Sequence, residues 1–171
     1  CGGSSVKYQL VEMPQERVMA RGSVERIGKE DGQLQLEIFA AERGCGSGTD
    51  SGKISRVLPV PDHGAAIGLA LEALTDPENG IIHSFSEIDA VGHRVVHGGE
   101  KCTGSLLATD EVVAVLREFF DLAPLHNPPN VEGIEVCQRL MPETPMVAVF
   151  DSSLHQSLPP HAYTYAIPYH Y

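Results

Sequence analysis

The 171 residues contain no run of lysine or arginine and no Cys-x-x-Cys pair, and no apolar stretch approaches the ~20 residues that cross a membrane. Each absence removes a class of function. With 12 Lys+Arg against 23 Asp+Glu the net charge is −11, a surface that repels phosphate backbones and anionic headgroups. A nucleic-acid or membrane partner is therefore not expected. The four cysteines, Cys1, Cys45, Cys102 and Cys137, are scattered and read as free thiols of a reducing cytoplasm. Cys1-Gly2-Gly3-Ser4-Ser5 lacks the basic and apolar regions of a signal peptide, so a soluble, cytoplasmic protein is the expectation.

What is present suits one ordinary core. With 42% hydrophobic and 20% charged residues, the chain is neither collagen, coiled coil nor disordered, and its length corresponds to about one domain.

The first forty residues have the period-two pattern of strands. Val6, Tyr8 and Leu10 alternate with Lys7 and Gln9, and Leu34, Leu36 and Ile38 with Gln33, Gln35 and Glu37. With a middle strand over Arg17 to Ile27 and a turn at Lys29-Glu30-Asp31-Gly32, this predicts an antiparallel meander. Gly44 to Gly52, rich in Gly and Ser, reads as a surface loop, because it lacks the Lys-Ser/Thr ending of a P-loop.

From Asp62 the period becomes helical. Asp62 caps a helix with Ile67, Ala70, Leu71 and Leu74 on one face, ended by Pro77 and Asn79-Gly80. Ile88 to Val96 is a strand running into His97-Gly98-Gly99; Thr109 caps a helix carrying Val112, Val115, Leu116 and Phe119. A helix after Asn127-Pro128-Pro129-Asn130 carries Val131, Ile134, Cys137 and Met141 and stops at Pro142. The apolar run Met146 to Phe150 predicts a strand buried on both faces that delivers Asp151 to its C-terminal end. The order implies an α/β protein with a mixed sheet.

Four stretches bear chemistry. Gly2-Gly3-Ser4-Ser5 ahead of Lys7 offers amides, hydroxyls and an ammonium to an anion, although a mobile terminus beside a surface lysine has the same sequence. Arg94, inside an apolar strand, needs a partner: a bound carboxylate or phosphate, or an internal Asp or Glu. His93 and His97, four apart on the same strand, lack the helix and nearby Glu of a zinc motif. His126, in a turn rich in Pro and Asn, is either a donor to an oxyanion or a capping residue. Asp151, followed by Ser152-Ser153, stands where open α/β sheets place ligands, and an N-cap is the other reading.

Together these stretches resemble the acetate kinase family of carboxylate phosphotransferases. Gly2 to Leu10 (GGSSVKYQL) resembles its phosphate-loop hairpin, Ala90 to Glu100 (AVGHRVVHGGE) its signature strand, Leu122 to Asn130 (LAPLHNPPN) its second signature, and Met146 to Pro159 its hinge segment. The resemblance spans nearly the whole chain and is weakest between Glu42 and Ile54.

The resemblance implies an actin-like ATPase (ribonuclease H-like) lobe with a mixed β-sheet and flanking helices. It also implies a homodimer that moves the γ-phosphoryl of Mg·ATP to acetate, giving ADP and acetyl phosphate. Under it Lys7, with Ser4 and Ser5, contacts nucleotide phosphate; Arg94 binds the substrate carboxylate; Asp151 is the catalytic carboxylate. Val96 and Leu125 line the methyl pocket, and His126 lies near the reacting groups. Gly3 stands where the family usually has Ser. The family's first strand, with its Mg²⁺-contacting Asn, falls ahead of Cys1, and its adenosine motifs, second catalytic Arg and metal-binding Glu fall after Tyr171. The expectation is therefore a truncated N-terminal portion, with residues 1–149 in one lobe and 150–171 forming a hinge and the start of a second, inactive by itself. A propionate or butyrate kinase, with a larger pocket, and a non-catalytic anion-binding module are the alternatives; Val96 points to a small acyl group.

Overall fold

A computed structural model describes residues 2–39, 52–168 and 170. Strands β1 (Ser5–Glu12), β2 (Arg17–Glu25), β3 (Lys29–Ile38) and β4 (Gly52–Val60) form an antiparallel sheet in sequential order. Its buried face follows from register. Val6, Val24 and Leu34 lie directly across from one another, as do Tyr8, Gly22 and Leu36. Gly22 is required there: a Cβ would meet the Tyr8 ring at 2.3 Å, so the ring lies across the strand where a side chain would otherwise stand.

The structure changes two details of the expected meander. The reversal between β2 and β3 lies at Arg26–Gly28, where Arg26 (φ 61°) and Gly28 (φ 83°) adopt left-handed conformations, and Lys29 already belongs to β3. Gly32, expected in the turn, sits inside the strand, because a Cβ would meet Val60 Cγ2 at 2.4 Å and only glycine lets β3 and β4 approach there. β4 itself was not anticipated. As the outer strand it is exposed almost throughout, with only Val60 fully buried, so its alternation is faint, and Pro59 is tolerated because the strand is at an edge. Of the expected Gly44 to Gly52 loop, only Gly52 is among the described residues, and it opens β4; Cys1 and Cys45 also lie outside them.

Helix α1 (His63–Leu74) packs across β1, β2 and β3. Asp62 caps it as expected, its Oδ1 accepting from Ala65 N–H at 2.7 Å. Its small Ala66, Ala70 and Ala73, with Ile67, Leu71 and Leu74, are buried, letting the helix sit close on the sheet.

β5 (Val91–Val95), β6 (Leu106–Leu107) and β7 (Met146–Phe150) form a separate three-stranded sheet in the order β5-β7-β6, parallel between β5 and β7 and antiparallel between β7 and β6. The mixed sheet is thus present, but the meander is not part of it. β5 is shorter than the expected Ile88 to Val96, because Ile88 closes a 3-10 turn at Phe85–Glu87. β7 is covered on one face by Met146, Ala148 and Phe150 packing, whereas Val149 is 43% exposed; among the described residues no second layer closes over it.

α2 (Asp110–Glu118) is capped by Thr109. α3 (Asn127–Leu140) starts at Asn127 with Pro128 and Pro129 in its first turn, and it packs on α1, α2, β5 and β7 through Val131, Ile134 and Cys137. After β7 the chain continues through a 3-10 segment at Asp151–Ser157 and the short α4 (Pro160–Tyr163), and residues 155–168 are exposed.

β1 and β5 are each the edge of their sheet, and both line one groove of about 1570 Å³ whose other walls include Ile67, Leu71, Gly133 and Cys137 from α1 and α3.

Candidate active site

The two sheets deliver their polar ends to this groove. Lys7 from β1 and Arg94 from β5 both line it, although 87 positions separate them in sequence. Arg94 is not buried: its side chain is 64% exposed, because alternation along β5 buries Val95 and turns Arg94 outward. Its partner is Asp151, at the end of the parallel neighbour β7. Arg94 Nε donates to Asp151 Oδ1 at 3.0 Å and Nη2 to Oδ2, so guanidinium and carboxylate meet fork to fork. The register explains the meeting: Val95 lies opposite Phe150, which puts the next residue, Asp151, beside the strand end carrying Arg94.

Both readings left open for Arg94 and Asp151 are thereby narrowed. Arg94 has an internal acidic partner, and that partner is the other candidate residue. Asp151 makes no capping bond to the 3-10 segment it opens.

The loops around the pair are held by two asparagines that sequence reasoning treated only as turn formers. Among the described residues, Asn127 and Asn130 are the buried polar ones, 0% and 2% exposed. Asn130 Oδ1 accepts from Val96 N–H at 3.2 Å; Asn127 Oδ1 accepts from His97 N–H at 3.2 Å, while its Nδ2 donates to His97 O (2.9 Å) and Phe119 O (3.2 Å). These bonds tie the exit of β5 to the start of α3, supplying partners to backbone groups that have run out of strand. The available signal was two amides flanking Pro-Pro at a helix start, where side-chain carbonyls can reach out of the first turn. Gly98 N–H also donates to Ser152 Oγ at 3.4 Å, joining the loops after β5 and β7. Gly99 (φ 59°) lies so close to Phe119 that a Cβ would meet the ring at 2.3 Å.

The remaining candidates are spread around this frame. The Gly2-Gly3 segment reaches the α3 start: a Cβ on Gly3 would lie 3.8 Å from Leu125 O, and Gly2 O accepts from His63 Nε2 at 2.7 Å. Ser4, Ser5 and Lys7 line a second cavity on the flank of β1, of about 460 Å³. Val96 is half-buried and Leu125 is 75% exposed, and neither lines the groove. His126 occupies the N-cap position of α3, exposed and without a side-chain cap bond. His93 points the other way from Arg94: its Nε2 lies 3.4 Å from Met146 Sδ, and burial pushes its imidazole down to about 4. The thiols of Cys102 and Cys137 are free and buried, with burial raising both and Cys137 to about 11. Tyr8, facing the groove, has a buried hydroxyl without a hydrogen-bond partner among the described residues, and burial pushes it up to about 12.

The bidentate Arg94–Asp151 pair thus stands at the ends of parallel strands, and Arg94 shares a groove with the lysine-bearing β1. The family model described as "Acetokinase family" matches residues 1–171. The chain belongs to this family. Among curated relatives, the acetate kinase of Desulfitobacterium hafniense (strain DSM 10664 / DCB-2) is 48% identical over 178 residues, and that of Clostridium botulinum (strain Langeland) 51% over 169 residues. The chain spans 40% of the length of each, while they match 100% and 99% of it. Among solved structures, Porphyromonas gingivalis acetate kinase superposes with a TM-score of 0.86 at 42% identity, covering 99% of this chain and 40% of that one. A propionate kinase from Francisella tularensis gives 0.79 at 33% identity with the same coverage. The fold is accordingly that of part of an acetokinase, within the actin-like ATPase architecture. Among the described residues, no helix is long and apolar enough to cross a membrane.

Proposed function

We propose that this chain is the N-terminal portion of an acetate kinase, which as a longer protein transfers the γ-phosphoryl of ATP to acetate and reverses the reaction from acetyl phosphate. The observation that carries the reading is the fork-to-fork Arg94–Asp151 pair, whose arginine lines the same groove as Lys7. The names of the relatives, acetate kinases at about half identity, support the acyl group.

In this reading Arg94 holds the substrate carboxylate, and Asp151 now fills the fork as a carboxylate from the chain itself. An acetate carboxylate is ionised at neutral pH, so no proton has to be removed from it. The work left to the protein is in-line positioning and charge neutralisation, as a loose phosphoryl-transfer transition state requires. Asp151 then orients Arg94, Asn127 and Asn130 fix the strand exit behind it, and Ser4, Ser5 and Lys7 hold nucleotide phosphate. Val96 and Leu125 line the methyl pocket in this reading, with His126 at its edge, although neither Val96 nor Leu125 lines the groove of Lys7 and Arg94.

Mg²⁺ accompanies ATP by the family resemblance alone. Among the described residues no three His, Cys, Asp or Glu gather to hold a metal ion, and Asp151 has both oxygens engaged by Arg94. The residues present do not form a magnesium site, and no step here runs through one. The boundary between a lobe at 1–149 and a hinge from 150 is supported by the uniform exposure after residue 154. A homodimer in the cytoplasm completes the proposal.

A hydroxamate assay with acetate and Mg·ATP tests it. A longer protein containing this chain turns over and the 171-residue chain alone does not; turnover by the isolated chain overturns the partition of the site. A propionate or butyrate kinase is the second reading, suggested by the propionate kinase neighbour. Comparing kcat/KM for acetate, propionate and butyrate decides, since one methylene in an apolar pocket contributes about 1–3 kcal/mol. Acyl phosphate binding without turnover in the longer protein would instead mark a non-catalytic anion-binding module.

A further inference from the structure

We propose that Arg26 on the β2–β3 turn and Lys29 at the start of β3 form the second wall of a polyphosphate-binding site whose first wall is Ser4, Ser5 and Lys7 at the start of β1. The inference rests on the reading that β1 holds nucleotide phosphate and adds the residues that complete the site.

The 460 Å³ cavity on the flank of β1 gathers three cations, Lys7, Arg26 and Lys29, in a chain whose net charge is −11. Elsewhere among the described residues Arg17, Arg56, Arg94, Lys101 and Arg117 each reach a carboxylate, while Arg21, Lys53 and Arg139 do not but lie outside this cavity. Lys7 and Lys29 have none within 4.0 Å among the described residues, and the Ser4 and Ser5 hydroxyls make no hydrogen bond there either. Two ammonium groups and two hydroxyl donors thus face one concavity unengaged. Like charges gathered in excess of their counter-charge repel, an arrangement that a multiply charged anion relieves.

The turn is built to stay there. Ile27 N–H donates to Ser4 O at 3.1 Å, Gly28 N–H to Val60 O at 2.7 Å, and Lys29 N–H to Arg26 O at 3.1 Å. Arg26 holds a left-handed conformation (φ 61°) that a glycine would adopt without strain, so the chain places an arginine at a position where its backbone is disfavoured. Asp31 holds the Arg26 guanidinium at 2.6 Å, half exposed and available for exchange. Glu25, also on the wall, leaves the cavity with a net charge of +2 (three cations and one carboxylate) and accepts from Ser23 Oγ at 3.3 Å. The net charge of the cavity and its volume of about 460 Å³ suit a di- or triphosphate better than a monoanion.

The test is calorimetry of the 171-residue chain with sodium tripolyphosphate at low salt, and with inorganic phosphate for comparison. Lys29→Gln weakens tripolyphosphate binding about 3- to 10-fold, an effect that shrinks as salt rises. Arg26→Gly, which suits the left-handed backbone and preserves the fold, weakens it similarly. Asp31→Asn frees Arg26 and tightens binding. Arg139→Gln, outside the cavity, changes nothing. If Lys7→Gln weakens binding but Lys29→Gln and Arg26→Gly stay within twofold of the unsubstituted chain, the turn is not part of the site, while the reading of Lys7 stands. Equal losses for Lys29→Gln and Arg139→Gln would reduce the effect to overall charge and overturn the proposal. Absence of tripolyphosphate binding by the unsubstituted chain overturns both walls.

Discussion

Replacing Arg94 with alanine separates binding from stability, because the two roles differ in magnitude. The guanidinium is 64% exposed and Asp151 45% exposed, so their pairing takes place largely in solvent. Exposed ion pairs contribute about 0.2–1 kcal/mol. A bidentate pair sits near the upper end, and Arg94→Ala should lower the melting temperature by at most about 4 °C in a domain of this size. Ligand binding is affected more. Each hydrogen bond to a charged group contributes about 1.5–3 kcal/mol before solvent screening, and two are lost together. Discounting for exposure leaves about 2–3 kcal/mol, or about 30- to 150-fold in affinity for acetyl phosphate. Arg94→Lys keeps the charge without the fork and recovers only part of this loss. Asp151→Asn moves in the other direction, removing the carboxylate that competes for the fork, so acetyl phosphate binds more tightly while turnover of the longer protein falls. Calorimetry and thermal melts on the same samples measure both quantities. A large drop in melting temperature for Arg94→Ala with unchanged acetyl phosphate affinity would refute the argument and make Arg94 a structural residue.

The groups around the pair give further expected outcomes. Asn127→Ala leaves the half-buried His97 N–H without its acceptor and two carbonyls without a donor, and should cost about 2–4 kcal/mol in a urea titration, whereas Asn→Ala on the surface costs little. Gly99→Ala combines φ 59° with a Cβ 2.3 Å from the Phe119 ring, and the same titration should show a loss of at least about 2 kcal/mol, partly restored by also replacing Phe119 with leucine. His93 makes stability depend on pH. Its folded value near 4 lies below the usual 6.5, so the unfolded chain binds the proton first; stability is complete above about pH 6.5 and falls, by up to about 1.4 kcal/mol per unit, as pH drops toward 4. His93→Gln should flatten that limb in urea titrations at several pH values. Cys102 and Cys137, buried with raised thiols, should resist iodoacetamide in the native chain and react on unfolding, as peptide mass spectrometry would report.

Strong local patterns transferred to the structure with little change. The strand alternation of β1 and β3, the Asp62 and Thr109 caps, the apolar stripe of α3 and the extent of β7, though not its expected burial on both faces, are set by neighbours a few residues away, so the sequence displays them directly. Weak or nonlocal features did not transfer. β4 has an exposed outer face that erases its alternation, and the β2–β3 reversal moved to Arg26–Gly28 because Gly32 is needed for contact with Val60 rather than for a turn. A glycine's requirement is set by what approaches it, and that neighbour is 28 residues away.

The candidate residues themselves were legible in the motifs that carry the family resemblance, from the Ser4-Ser5 hairpin to Asp151. By itself the sequence determined most of the elements, β4 and β6 excepted, and which side chains are candidates for chemistry, because propensity, periodicity and capping act over one or two turns. Tertiary structure alone decided who meets whom. Parallel pairing of β5 with β7 brings Asp151 to Arg94 across 57 positions, separate sheets leave β1 and β5 facing one groove, and the first turn of α3 buries two amides to satisfy a distant strand end. These contacts depend on strand order and register, which are fixed by burying the apolar faces of the whole chain together.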